Sequence, residues 1–175
     1  MKKITIVAMI VFSFFTKNSF AQLQAGFQLG PQFPMGNMSD YNTGFGLIAT
    51  AKYFVNDDAA FGLNVGFNRF GTGYDDINGS FIPITALFEY NLSGEMLVPY
   101  LGFDLGGYNY SFKYVIWGRT YTDSKFYFGF APSAGLKYEF NDNIYFTGCL
   151  KWNYVMTDND DADWLGLNIG VFYKL

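Results

Sequence analysis

Most of this chain alternates bulky apolar residues with small or polar ones. In the last ten residues, GLNIGVFYKL, the bulky positions are Leu167, Ile169, Val171, Tyr173 and Leu175. A period of two indicates β-strands, because successive side chains of a strand point to opposite faces of the sheet. Each strand therefore has one apolar face, and the fold depends on what surrounds that face.

The alternation divides the chain after residue 21 into eight segments. They lie near residues 22–31, 43–55, 59–70, 80–90, 98–112, 125–140, 143–154 and 164–175. Charged residues within the segments fall on the parity opposite the bulky apolar one, except Arg69 at a strand end. The charges on this polar parity are Lys52, Glu89, Asp104, Lys137, Glu139, Lys151 and Lys174. The pattern predicts eight strands with two faces of very different bulk.

Two barrel architectures share this pattern with opposite meanings. In a soluble barrel of the lipocalin kind the apolar face points inward around a ligand, whereas in a membrane barrel it points outward into lipid. An eight-stranded barrel has room inside only for side chains or one small ligand. Four or five large apolar residues from every strand would overfill it. We therefore predict an all-β, eight-stranded, antiparallel, up-and-down transmembrane barrel, with a soluble periplasmic lipid-binding barrel as the weaker alternative.

The first 21 residues have the three parts of a secretory signal peptide. Lys2 and Lys3 form the charged region, residues 4–15 the apolar region, and Ser19 and Ala21 the small residues before a cleavage site. A membrane anchor is the alternative, but the apolar run is too short to span a bilayer. We expect residues 1–21 to be a signal peptide and residues 22–175 to form the barrel.

The composition argues against several classes of function. The chain has 15 acidic and 11 basic residues, and three of its lysines lie in the predicted signal peptide, which disfavours nucleic acid as a partner. It has no histidine, so histidine-based triads and the common zinc and iron sites are absent. The single Cys149 has only Lys151 nearby as an activating group. We expect a protein that is not an enzyme and binds no cofactor.

The connections between segments differ in length at the two ends. Those after segments 2, 4 and 6 are short (residues 56–58, 91–97 and 141–142), whereas the others run to about nine to twelve residues. Outer-membrane barrels have short periplasmic turns and longer external loops, so both termini are predicted to be periplasmic. Pro132 lies well inside a predicted strand, so we expect a bulge or an unpaired amide there.

With these features the chain resembles the small outer-membrane β-barrel proteins of Gram-negative bacteria. The nearest family is the outer membrane protein β-barrel domain, followed by the OmpA, OmpX and OmpW barrels. The resemblance rests on the signal peptide, the eight strands and the stretches YLGFDLGG (100–107), APSAGLKYEF (131–140) and GLNIGVFYKL. It implies outer-membrane lipid and lipopolysaccharide as surroundings, and a last strand read by the barrel assembly machinery. The OmpW likeness implies passive transport of small or amphipathic solutes as one possible role.

The inward charges are the first candidate site. They are Lys52, Glu89, Asp104, Lys137, Glu139 and Lys151. Charges in a narrow lumen must pair or be hydrated, so this polar network either lines a pore or plugs the barrel. Because eight strands leave little space, we favour the plug and expect a structural or adhesive role exercised through the external loops.

The loops supply two further candidates. Asp158, Asp160, Asp161 and Asp163 form an acidic loop that is either solvated or a cation site, although it lacks the spacing of an EF-hand. The loops near 71–79 and 113–124 contain four residues that either contact a surface partner or belong to the interfacial aromatic girdle. They are Tyr74, Trp117, Arg119 and Tyr121.

Overall fold

The computed structural model describes residues 23–71, 77–116, 119–158 and 160–175. The predicted signal peptide therefore lies outside the described residues, as do Tyr74 and Trp117. The side chains of Arg119 and Tyr121 are also not described.

The described residues form eight strands that close into a barrel. The strands are β1 (Leu23–Met35), β2 (Gly44–Phe54), β3 (Ala59–Gly71), β4 (Ile77–Asn91), β5 (Leu97–Ile116), β6 (Arg119–Glu139), β7 (Ile144–Met156) and β8 (Ala162–Lys174), with a short 3-10 helix at Gly36–Met38 after β1. Each strand pairs antiparallel with the next, and β1 pairs with β8. This arrangement confirms the predicted fold class. Within these residues, no helix has the length and hydropathy needed to cross a bilayer.

The two faces of the barrel are assigned as the alternation predicts. On β3, Leu63 and Val65 point outward with 64% and 52% of their surface exposed, whereas Asn64 and Asn68 point inward with 2% exposed. The same division holds around the barrel, because the large exposed residues are apolar and most of the buried polar residues lie on the opposite parity. The bulky apolar parity is therefore the outer surface.

Asparagine side chains form two of the tight turns. Asn56 Oδ1 accepts hydrogen bonds from the backbone N–H of Asp58 (3.0 Å) and Ala59 (2.6 Å). Asn141 Oδ1 accepts from Asn143 (3.0 Å) and Ile144 (2.7 Å) in the same way. An asparagine that bonds the backbone two and three residues ahead stabilises a turn, which explains the repeated Asn-Asp pair after β2 and β6. The start of β1 and the end of β8 lie at the same rim as these turns.

At the opposite rim, β5 and β6 are longer than predicted. They have 20 and 21 residues, and their pairing continues beyond Ser111–Ser124 to Ile116–Arg119. The prediction of a loop at 113–124 was therefore wrong. Alternation is lost in this stretch because a hairpin that rises above an apolar band has no reason to keep one apolar face. The β6–β7 pairing reaches only as far as Phe128–Met156, so the β5–β6 hairpin extends beyond the end of that ladder.

Prolines interrupt hydrogen-bond ladders without shifting them. The β6–β7 ladder pairs Phe130 with Tyr154 and resumes at Ser133–Lys151 in the same register, with Pro132 in the gap. Proline has no N–H to donate, so the ladder is lost locally on that side while β5 still pairs with Pro132. Of the two expected features the bulge is absent, because the register is the same on both sides of the gap.

Candidate functional site

Three of the predicted inward charges form one buried cluster near the turn-bearing rim. Lys52 Nζ donates to both carboxylate oxygens of Glu89 at 2.8 Å, and Lys137 Nζ donates to Glu89 Oε1 at 2.5 Å. Lys137 also bonds the side-chain oxygen of Asn91. The three charged side chains expose no more than 6% of their surface. One carboxylate therefore holds two ammonium groups in a nearly dry environment.

The pairing of Lys52 with Glu89 crosses a whole strand. Lys52 lies on β2 and Glu89 on β4, and the residue of β3 opposite Lys52 is Gly62. A Cβ atom at Gly62 would lie 2.8 Å from the Cβ of Lys52 and 2.5 Å from a backbone oxygen. Glycine is needed here because any side chain would clash with the backbone of β2 and with the base of the Lys52 side chain.

Four aromatic rings surround this cluster, and the sequence reasoning missed them. They are Phe54, Tyr100, Tyr145 and Phe172, all on the polar parity. Lys52 Nζ lies 4.5 Å from the ring centre of Phe172, and Lys137 Nζ lies 5.0 Å from those of Phe54 and Tyr100. Rings at these distances attract cations and exclude water. Their parity alone would have located them inside the barrel.

Asp104 is the centre of a second buried cluster. Lys151 Nζ and Asn64 Nδ2 each donate to Asp104 Oδ2 at 2.7 Å, and Thr85 Oγ1 approaches the same atom at 3.4 Å. Further along the interior, Gln32 Nε2 donates to Asn168 Oδ1 at 2.9 Å. The middle of the barrel is thus filled by polar side chains that bond one another across the lumen.

Glu139 does not join either cluster. It lies at the turn-bearing rim, where Lys174 Nζ donates to its carboxylate at 2.7 Å and 45% of its side chain is exposed. The predicted network is therefore two separate internal clusters plus one rim pair.

Aromatic packing fills the interior near the opposite rim. Trp164 is fully buried, and its ring centre lies 5.5 Å from Phe70, 4.9 Å from Phe81 and 6.0 Å from Tyr108. Met38, at the end of the 3-10 helix, packs on the same cluster. An apolar layer therefore covers the polar middle of the barrel.

Three cavities bear on whether a path runs through the barrel. One of about 20 Å³ lies between the charged clusters, lined in part by Thr50, Asn64 and Cys149. That volume holds about one water molecule. Larger cavities open at the mouths, about 180 Å³ beside Lys137 and Lys174 and about 200 Å³ beside Tyr110 and Asp160.

The carboxylates of the acidic loop have different partners. Asp158 pairs with Lys125 at 3.1 Å, Asp161 accepts from the Tyr154 hydroxyl, and Asp163 accepts from Trp152 Nε1 at 3.5 Å. In the described parts of the chain, no three His, Cys, Asp or Glu side chains group as a metal site would require.

A family model covers almost the whole chain. The model described as outer membrane protein beta-barrel domain matches residues 5–174. No curated protein matches the chain.

Solved outer-membrane barrels share the fold at low sequence identity. Neisserial surface protein A (NspA) is 18% identical with a TM-score of 0.71, and the match covers 87% of this chain and 97% of that one. Ail of Yersinia pestis, in complex with the heparin analogue sucrose octasulfate, is 20% identical with a TM-score of 0.56 over 89% and 97% of the two chains. OprG from Pseudomonas aeruginosa is 14% identical with a TM-score of 0.57 over 89% and 95%.

Proposed function

The chain belongs to the outer membrane protein β-barrel domain family, and from this premise we propose that it is a closed outer-membrane barrel with a structural or adhesive role at the cell surface. The barrel is then a rigid support, and contacts with other molecules are made by the parts that extend beyond the membrane. The proposal includes no catalytic step.

The packed interior is the observation that carries this proposal. Two ion-pair clusters and an aromatic layer succeed one another along the lumen, and the cavity between the clusters is about 20 Å³. A cavity of that volume holds about one water molecule, so it does not admit an ion with its hydration shell. Moving Glu89 or Asp104 aside would separate buried charges, which is energetically costly.

A small passive channel is the second candidate. The cavities at the two mouths favour it, since they have volumes of about 180 and 200 Å³ and are open to solvent. Transport would require the ion pairs and the aromatic layer to rearrange together. This candidate therefore predicts a conducting state that the closed barrel does not have.

The proposed orientation places the termini and the asparagine turns in the periplasm. The extended β5–β6 hairpin and the acidic loop then face outward, toward lipopolysaccharide and any surface partner. The tight turns at Asn56 and Asn141 support this orientation, because outer-membrane barrels keep their short turns on the periplasmic side. Residues 1–21 act as the export signal in this proposal. The barrel assembly machinery then folds and inserts residues 22–175 in the outer membrane.

Cysteine labelling of intact cells tests this orientation. In a Cys149→Ser background, Asp160→Cys should react with a membrane-impermeant maleimide on whole cells, because Asp160 is exposed at the outer mouth. Asp57→Cys, on an exposed asparagine turn, is the matched control and should react only after the outer membrane is permeabilised. Labelling of Asp57→Cys but not Asp160→Cys on intact cells would reverse the orientation.

A further inference from the structure

A cavity of about 200 Å³ opens at the mouth opposite the termini, and neither the family nor the proposed role assigns it a ligand. Its described lining contains four aromatic rings, Tyr41, Phe81, Tyr110 and Tyr127, together with the carboxylates of Asp160 and Asp161. A volume of this size suits one small ring or one methylated ammonium group, since an engineered cavity of about 150 Å³ holds benzene.

The aromatic wall is held by packing. The ring centres of Phe81 and Tyr110 are 4.7 Å apart, and Phe81 is almost completely buried against Trp164. Tyr41 and Tyr110 both lean over Gly79, where a Cβ atom would lie 3.2 Å and 3.6 Å from their rings. The rings that line the cavity are therefore held in place by their neighbours before any ligand arrives.

The carboxylates add negative charge at the edge of the same cavity. Asp161 is oriented by the Tyr154 hydroxyl and by the backbone N–H of Thr157, which donates to Asp161 Oδ1 at 3.3 Å. Asp158 lies beside the same wall, where it accepts from the Tyr127 hydroxyl at 3.4 Å and pairs with Lys125 at 3.1 Å in an exposed ion pair that solvent screens. The described lining contains two carboxylates and no basic residue.

From this combination we propose that the cavity binds a small organic ammonium ion, a quaternary or alkylated amine. Aromatic faces attract such cations through their quadrupole, and partial desolvation strengthens the attraction. The carboxylates attract the same ligand and repel anions. A neutral ligand of the same shape would gain only the contact with the rings.

An ammonium ligand at this mouth would serve the surface role proposed above, and its biological meaning rests on that role. Binding itself is independent of orientation and conductance. A protein that binds the cation in detergent but conducts ions in a planar bilayer would refute the closed lumen alone. A protein that is silent in the bilayer and does not bind in detergent would refute the ligand alone.

The test is an NMR titration of the refolded barrel in a maltoside detergent, which carries no ammonium group. Choline is the probe, and 3,3-dimethylbutan-1-ol is its neutral isostere. We expect saturable shifts with choline and about tenfold weaker binding of the isostere. Phosphocholine carries the same ammonium beside a phosphate and should also bind more weakly, because Asp160 and Asp161 repel the phosphate.

Variants separate the two parts of the site. Asp160→Asn combined with Asp161→Asn should weaken choline about tenfold and leave the isostere unchanged. Tyr110→Leu should weaken choline, whereas Tyr127→Phe keeps the ring and should not. Glu139→Gln at the opposite mouth is the matched control for charge and should have no effect.

Equal affinity for choline and the isostere would overturn the proposal, as would unchanged choline binding in the double aspartate variant. Absence of saturable binding would overturn it as well. Tighter binding of phosphocholine than of choline would overturn the assignment to a free cation in favour of a lipid headgroup.

Discussion

Replacing Glu89 with glutamine is expected to lower the free energy of unfolding of the barrel by about 3–5 kcal/mol. Glutamine has nearly the same shape but no charge, so Lys52 and Lys137 would lose their shared carboxylate while they stay buried. An unpaired charge in a poorly hydrated interior is one of the most destabilising single changes known in proteins. Reversible urea unfolding of the barrel in lipid vesicles, followed by the gel shift between folded and unfolded forms, measures the loss.

Glu139→Gln is the matched control for this experiment. It removes a carboxylate from an ion pair of similar length, 2.7 Å to Lys174, but with 45% of the glutamate side chain exposed. Water replaces the lost partner there, so the expected cost is below about 1 kcal/mol. A triple variant with Glu89→Leu, Lys52→Met and Lys137→Met should recover much of the stability, because it removes all three charges together. Equal costs for Glu89→Gln and Glu139→Gln would contradict a buried internal cluster.

An arginine on the outer surface is expected to have the next largest effect. Leu63 points outward from the middle of β3 between Ala51 and Ala86, with 64% of its surface exposed within the protein. In lipid that surface faces hydrocarbon, so Leu63→Arg should cost about 2–4 kcal/mol of unfolding free energy in vesicles. In water the same change at an exposed leucine would cost little.

The depth of the substitution provides the control. Val55 is also exposed, at 52%, but it lies just beyond the end of β2 at the turn-bearing rim. Val55→Arg places the same charge near the headgroups and should cost less than about 1 kcal/mol. If both arginines cost the same, the outer surface would not be graded by depth and the lipid-facing assignment would fail.

Much of this fold could be predicted from the sequence, because lipid on one side and a narrow lumen on the other impose a strict alternation. The eight strands and their faces follow from that constraint, and the short connections at residues 56–58 and 141–142 lie where the alternation stops. The ends of β5 and β6 could not be predicted in the same way. Residues 113–116 and 119–122 pair with each other above the apolar band, where aromatic and polar residues fall on both parities, and this hairpin was mistaken for a loop.

The contents of the lumen were predicted only in part. Parity identified Lys52, Glu89 and Lys137 as inward, but the pairing across β3 depends on the register and on the missing side chain of Gly62. Parity also placed Glu139 inward, but Glu139 is the last residue of β6, so its side chain reaches solvent at the rim. The buried aromatic residues, such as Trp164, were overlooked because bulk was taken as a mark of the outer face.

Single-channel recording in a planar bilayer tests the central claim, that the lumen is closed by its own side chains. The sample is refolded residues 22–175, and a gel shift between boiled and unboiled protein shows that the barrel has formed. We predict a folded barrel without steady conductance, because the space between the two ion-pair clusters is about 20 Å³. A steady conductance that changes in Glu89→Gln or Lys151→Met would contradict the closed lumen and establish it as a pathway.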